Sequence, residues 1–524
     1  MEENNRINIM TDNSSNNKRI AKNTMFLYIR MAFVMLVTLY TVRVVLNTLG
    51  VIDYGIYNVV CGFVAMFGVL NTTLSSGINR FYNYELGKKE EGSIQTVYNS
   101  AIRIQGLLAI IVFIAVECIG IWYVNNKMVI PVERLRVANW IFQFSVVSII
   151  CLIIQIPYSG AIAAFEKMDY LALVGIIEAC LKLGIVYLIK IVNFDKLLLF
   201  GFLMMLISII AFLLYFVYAK THFKVLKFQR KYDKYMIKPL LSFSSWMLLD
   251  PLAYTIKGQG SNMALNYFRG PVMNAAYGLS NQVAQALESF SANISTAFKP
   301  QIIQSYSAGD YVRTKRLFFS MSKAMYILKL LLCVPIVLET SYLLHIWLGD
   351  DFPEIAIRFS QLLVISGLIN SFAHPITVLV ASKGNIKNYM IITSIIVSLV
   401  FPISIIFLAF GLAPDCVYWV MIFSAIANLI AAIIILCQEL PFIRIWEYCK
   451  IVILPCAFHT VLLLIPLIIL YCCMATSFWR VAAIVICSCV SSLLFSYLIV
   501  LDKYEKEMLK MLFKKISHRI IAKH

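Results

Sequence analysis

Long apolar runs broken by short polar stretches set the pattern of this 524-residue chain. Runs of roughly span length recur fourteen times, at residues 24–46, 56–79, 99–124, 137–158, 169–190, 197–219, 241–265, 276–298, 324–348, 357–381, 388–410, 416–437, 451–472 and 480–501. Each lets a helix cross about 30 Å of hydrocarbon, where the backbone must satisfy its own hydrogen bonds. The pattern predicts an all-α polytopic membrane protein with about 14 transmembrane helices, numbered as spans 1 to 14 in chain order.

The runs also repeat. "YGIYN" (54–58) opens span 2 and "YGLSN" (277–281) opens span 8, and a glycine follows each 31 or 32 residues later, Gly87 and Gly309. "IPYSGAIAAFEKMDY" (156–170) pairs with "HPITVLVASKGNIKNY" (374–389), both closing on a tyrosine after a short turn. The offsets are 223 and 218–219 residues, so residues near 20–219 and 240–437 read as two copies of a six-helix unit. Six spans return the chain to its starting side, which makes the copies parallel. Parallel repeats characterise transporters with a binding site between the halves. The expected division is an N-tail (1–23), a first half (24–219), a basic linker (220–240), a second half (241–437), spans 13 and 14 (438–501) and a basic C-tail (502–524).

Composition agrees with this class. The chain is 61% hydrophobic and 14% charged, with mean hydropathy +0.82, against about 45–50% and about 25% in soluble domains. The net charge of +18 is a topology signal: loops and tails on the N-terminal side hold 31 of the 45 Lys and Arg. Cationic loops stay in the cytoplasm, so both termini are expected there. The stretch 502–519 is amphipathic and basic, which suits contact with anionic lipids; nucleic acid is not indicated. Residues 1–22 are polar and the first apolar run is too long for a signal-peptide core, so it reads as an uncleaved span. The thirteen cysteines lie mostly in apolar segments without ligand spacing, and neither disulfide nor metal is expected.

Enzymatic chemistry finds no place. The outer loops are short, the six histidines are scattered, and no GxxxxGK[ST], HExxH or suitably placed GxSxG occurs. What remains is charge inside spans, which costs several kcal/mol unless it faces a cavity or a partner. Arg43, Arg103, Glu117 and Lys329 stand within about two turns of a span end, in reach of snorkelling. Glu178 and Lys182, four residues apart, form either a local ion pair in span 5 or part of a cavity. Asp250 and Lys257, in "DPLAYTIKG" (250–258), share one face of span 7. Pro251, with Gly258 and Gly260, predicts a kink or break there. Aligning the copies on Gly50 and Gly270 sets Arg30 of span 1 opposite Asp250. Span 8 carries a polar stripe (Gln282, Gln285, Ser289, Asn293, Thr296) with Glu288 beside it, and span 2 carries "LNTTLSSGINR" (70–80) with Asn71. Such stripes are either interhelical glue or cavity walls.

A 6+6+2 plan, "LGVIDYGIYNVVCGFVAMF" (49–67) and "LGKKE" (86–90) together resemble the Wzx-type polysaccharide flippases of the multidrug/oligosaccharidyl-lipid/polysaccharide exporter superfamily. The resemblance implies export of an undecaprenyl-pyrophosphate-linked oligosaccharide, for O-antigen or capsule, across a bacterial inner membrane by two rocking halves around a cationic cavity. It implies that Arg30, Lys257, Arg43 and Lys182 bind the substrate's pyrophosphate. Asp250, Glu288, Glu178, Asn71, Gln282, Gln285 and Asn293 then tune the cavity or bind a coupling H⁺ or Na⁺; no other cofactor is expected. A polysaccharide polymerase and chain-length proteins are candidate partners. The alternatives are a MATE-like cation antiporter, a lipid II flippase, or a non-transporting scaffold of glycan assembly.

Overall fold

A computed structural model of the chain describes residues 2–87, 94–223, 248–383, 386–502 and 505–507, and every regular element among them is helical. Most of the basic linker, the start of span 7 and the tail from 508 lie outside the described residues. Eleven helices are long and apolar enough to cross a membrane. Three more complete the set of fourteen: Val69–Gly87 in span 2, residues 249–269 in span 7, and Pro271–Ser307 in span 8. Spans 2 and 8 carry the polar stripes read from the sequence and span 7 carries Asp250 and Lys257, and such side chains lower hydropathy without breaking the helix. The protein is therefore a multi-pass membrane protein.

The chain packs as two compact units, residues 1–275 with 351–353, and residues 276–350 with 354–524. Span 7 opens the second copy of the repeat, yet by packing it belongs with spans 1–6.

The repeat has matching local structure in each copy. Spans 1 and 2 join at Gly50 (φ 82, ψ 166), and spans 7 and 8 join at Gly270 (φ 80, ψ −176). Only glycine occupies that region without strain. Just beyond each joint an asparagine donates to the carbonyl one turn back, Asn58 to Tyr54 (2.8 Å) and Asn281 to Tyr277 (2.9 Å). Four residues separate Gly50 from Tyr54 and seven separate Gly270 from Tyr277, so span 8 carries almost one extra turn at its start. A second matched pair sits where spans 4 and 6, and their copies 10 and 12, begin. Arg134 donates to Asp195 (2.5 Å) in the first copy, and Arg358 meets Asp415 (2.9 Å) in the second. Arg134 also binds Asp53, so a single guanidinium ties three loops of the first unit.

In the second unit span 9 (Tyr311–Leu348) carries charges that each meet a different neighbour. Lys315 pairs with Glu447 at the start of span 13. Lys323 pairs with Glu505 beyond span 14 (3.0 Å), and Glu339 accepts from Nη2 (2.8 Å) of Arg480 at the start of span 14, with the two side chains in ion-pair contact. Spans 13 and 14, outside the repeat, are thus bolted to span 9 at both ends.

In span 7, Leu249–Thr255 is α-helix, Ile256–Gly260 is one π-turn around Gly258 and Gly260, and Ser261–Arg269 continues as α-helix; residues 224–247 ahead of them lie outside the described residues. Lys329 does not snorkel, since it is 3% exposed and paired with Glu288.

Candidate functional site

In the first unit, "DPLAYTIKG" divides between two faces of span 7. Pro251, Thr255, Gln259 and Asn262 face span 2. A Cβ on Gly62 would lie 2.3 Å from Gln259 Oε1, and Asn262 Nδ2 donates to Asn58 O (3.3 Å). Asp250, Tyr254 and Lys257, spaced i, i+4 and i+7, form a separate stripe. Lys257 is 9% exposed, with its Nζ 5.7 Å from the Tyr254 ring centroid, and the ring stabilises the ammonium. The π-turn that holds Lys257 contains Gly258 and Gly260; such turns recur at functional sites.

Above this stripe span 7 is locked by three buried asparagines. Asn274 donates to Asn262 O and Oδ1 (2.7 Å each), and Asn266 donates to Asn274 Oδ1 (2.8 Å). Asn266 also accepts from Val129 N (2.8 Å) in the loop before span 4. Gly55 lies against Pro271, where a Cβ would come 1.9 Å from the carbonyl oxygen. The joint of spans 7 and 8 is thereby fastened to span 2. The spacing N-x₃-N-x₇-N in "SNMALNYFRGPVMN" (261–274) was the available signal for it.

The second cluster of the first unit surrounds Arg30. Its guanidinium packs on Gly175 of span 5, where a Cβ would lie 2.4 Å from Nε. One turn further along span 5, Glu178 is within electrostatic reach of both Arg30 and Lys182, at longer range than an ion-pair contact. Two cations thus share one carboxylate, leaving a net positive charge inside the span region. Gly175, unremarked in the sequence, makes the seat. Arg43 lies exposed along span 1. Asn71 is buried, donates to Leu152 O (3.2 Å) and leaves its Oδ1 without a partner.

In the second unit Glu288 of span 8 pairs with the buried Lys329 of span 9, beside Gly367 of span 10. A Cβ at 367 would stand 3.3 Å from Glu288 Oε1. Glu288 is 56% exposed. His374 of span 10 feels Glu288, Lys299 and Lys329. Gln282 is half-buried and Gln285 exposed, while the side chains of Asn293 and Thr296 lie outside the described residues. The candidate residues thus fall into three groups, around Arg30, around Lys257, and around Glu288. Among the described residues no cluster of His, Cys, Asp and Glu has the grouping of a metal site.

Residues 20–305 match the model of a family described as polysaccharide biosynthesis protein, and residues 247–406 match that of the MatE family. No curated protein matches the chain. A structure described as the lipid II flippase MurJ in an inward closed conformation is similar over 91% of this chain and 98% of its own, at 15% identity and TM-score 0.64. The MATE multidrug transporter DinF-BH in complex with R6G is similar over 82% of this chain and 97% of its own, at 15% identity and TM-score 0.58. An outward-facing MATE family transporter of the MOP superfamily is similar over 83% and 96%, at 15% identity and TM-score 0.56. At these identities the likeness establishes the fold, one carried by a flippase and by transporters.

Proposed function

The chain belongs to the polysaccharide biosynthesis protein family, and on that premise we propose that it is a flippase for undecaprenyl-pyrophosphate-linked oligosaccharide repeat units. It moves them from the cytoplasmic to the periplasmic leaflet of a bacterial inner membrane, with both termini in the cytoplasm. The observation that carries this reading is the Arg30 seat: a guanidinium set on Gly175 among Glu178 and Lys182, with a net positive charge at membrane depth. Such a group has a reason to be in lipid when an anion visits it, because an arginine fork matches phosphate oxygens and replaces the water they lose. Lys257 on its π-turn is the second cation of the path. Asp250, Glu178 and Glu288 are the carboxylates available to bind a coupling H⁺ or Na⁺. The basic tail meets anionic lipid headgroups.

A cation antiporter of the MATE type is the second reading, supported by the MatE match over residues 247–406. A cationic substrate disfavours Arg30 and Lys182, which repel it. The two readings separate in vesicles. Protein reconstituted with a lipid-linked oligosaccharide accelerates its appearance in the far leaflet under the first reading. Under the second it leaves that lipid alone and exchanges a hydrophobic cation for H⁺ or Na⁺.

A further inference from the structure

The helices of the first unit leave a slot of about 540 Å³ between spans 2, 4 and 6 and residues 251–255 of span 7. One stripe of span 2, Tyr57, Cys61, Val64 and Gly68, forms its floor, and Pro251 and Thr255 bound it from span 7. Serines and glycines stand at several lining positions where larger side chains would fill the space. The serine hydroxyls already have partners in their own helices: Ser145 donates to Ile141 O (2.8 Å), Ser148 to Phe144 O (2.9 Å) and Ser208 to Met204 O (3.3 Å). A trapped water needs roughly two to four polar partners, and these walls have few to offer. Voids much larger than a water are scarce in proteins, and an empty one forfeits dispersion contacts along its whole lining. Hydrocarbon is the filling that satisfies these walls.

We propose that the slot is a binding site for one acyl chain of a membrane phospholipid. Leu152 of the lining is 45% exposed, so the slot opens at the surface of membrane-spanning helices, and acyl chains are the hydrocarbon most abundant around such helices. The slot meets span 7 at Pro251 and Thr255, whereas Asp250, Tyr254 and Lys257 occupy a different stripe of that helix. A chain in the slot is therefore not the tail of a headgroup held at Lys257, and a resident phospholipid fits better than the carried substrate. The seated chain props span 7 apart from spans 4 and 6 and sets where the Lys257 stripe stands. The site is independent of the substrate assigned above.

The test uses full-length protein in phosphatidylcholine vesicles containing a trace of phospholipid with a photoreactive diazirine in one acyl chain, and maps the cross-linked peptides by mass spectrometry. The expected result is labelling of residues 144–152 and 201–208 above that of the exposed face of span 3 (Leu107, Ile110, Ile114), lost in Ser148→Leu/Ser208→Leu. Labelling no greater than that of span 3 overturns the proposal. So does preferential labelling of the slot by a diazirine-bearing polyprenyl phosphate, which makes the occupant a prenyl chain. Should the double variant fail to fold, the wild-type maps with the two probes decide the matter by themselves.

Discussion

A methyl group at residue 175 would lie 2.4 Å from Arg30 Nε, so Gly175→Ala has to push the guanidinium from its seat while leaving its charge in place. Gly175→Ala is therefore expected to lower flipping in the same direction as Arg30→Ala, by about 10–100-fold, the size of one or two charge-assisted hydrogen bonds, with protein abundance unchanged. Glycan export in cells carrying each variant, normalised to membrane protein level, checks it; export intact in Gly175→Ala refutes the seat. Gly50 and Gly270 make a second residue-scale case. Both hold φ near +80°, and alanine there costs about 1–3 kcal/mol of backbone strain. Each single substitution is expected to lower the unfolding temperature in detergent, while alanine at Gly184, a helical glycine where a Cβ meets nothing within 4 Å, leaves it unchanged or raises it.

Among elements, the charges on span 9 show what a neighbouring helix does to a residue that depth alone misjudges. Counting from the span end allowed Lys329 to snorkel, because the sequence does not reveal that span 8 sets Glu288 beside it. Glu288→Gln leaves the ammonium buried without its carboxylate and is expected to cost about 1–3 kcal/mol. Glu288→Gln/Lys329→Met recovers most of that, a coupling that a double-mutant cycle of denaturation measures. The matched arginines of the two copies differ in the same way. Arg134 is three-quarters buried and meets two carboxylates, while Arg358 is mostly exposed and meets one. Arg134→Ala is expected to destabilise by about 1–3 kcal/mol and Arg358→Ala by less than about 1 kcal/mol, with only the second difference fading at high salt. Neither pair was legible in the sequence, since each joins loops more than fifty residues apart. The glycines of span 7 were legible, but the form of the irregularity they sit in was not. Gly258 and Gly260 sit in the π-turn at Ile256–Gly260, an irregularity that a glycine count does not specify.

For the molecule as a whole, hydropathy and charge were enough to read a multispanning helical protein. The "YG" motifs exposed a repeat that the structure answers with the same glycine joint and the same asparagine bond in each copy. The grouping of the site residues was less accessible. Arg30 packs on Gly175 of span 5, a contact between distant segments that periodicity does not encode. Arg30 and its seat are where the functional account is most exposed. The most direct measurement places purified protein in vesicles with a fluorescent undecaprenyl-pyrophosphate-linked oligosaccharide and follows its appearance in the opposite leaflet. The account predicts acceleration over protein-free vesicles by the natural chain, and a loss of about 10–100-fold of that rate in Arg30→Ala. A natural chain no faster than empty vesicles, or an Arg30→Ala rate equal to the natural one, would contradict it.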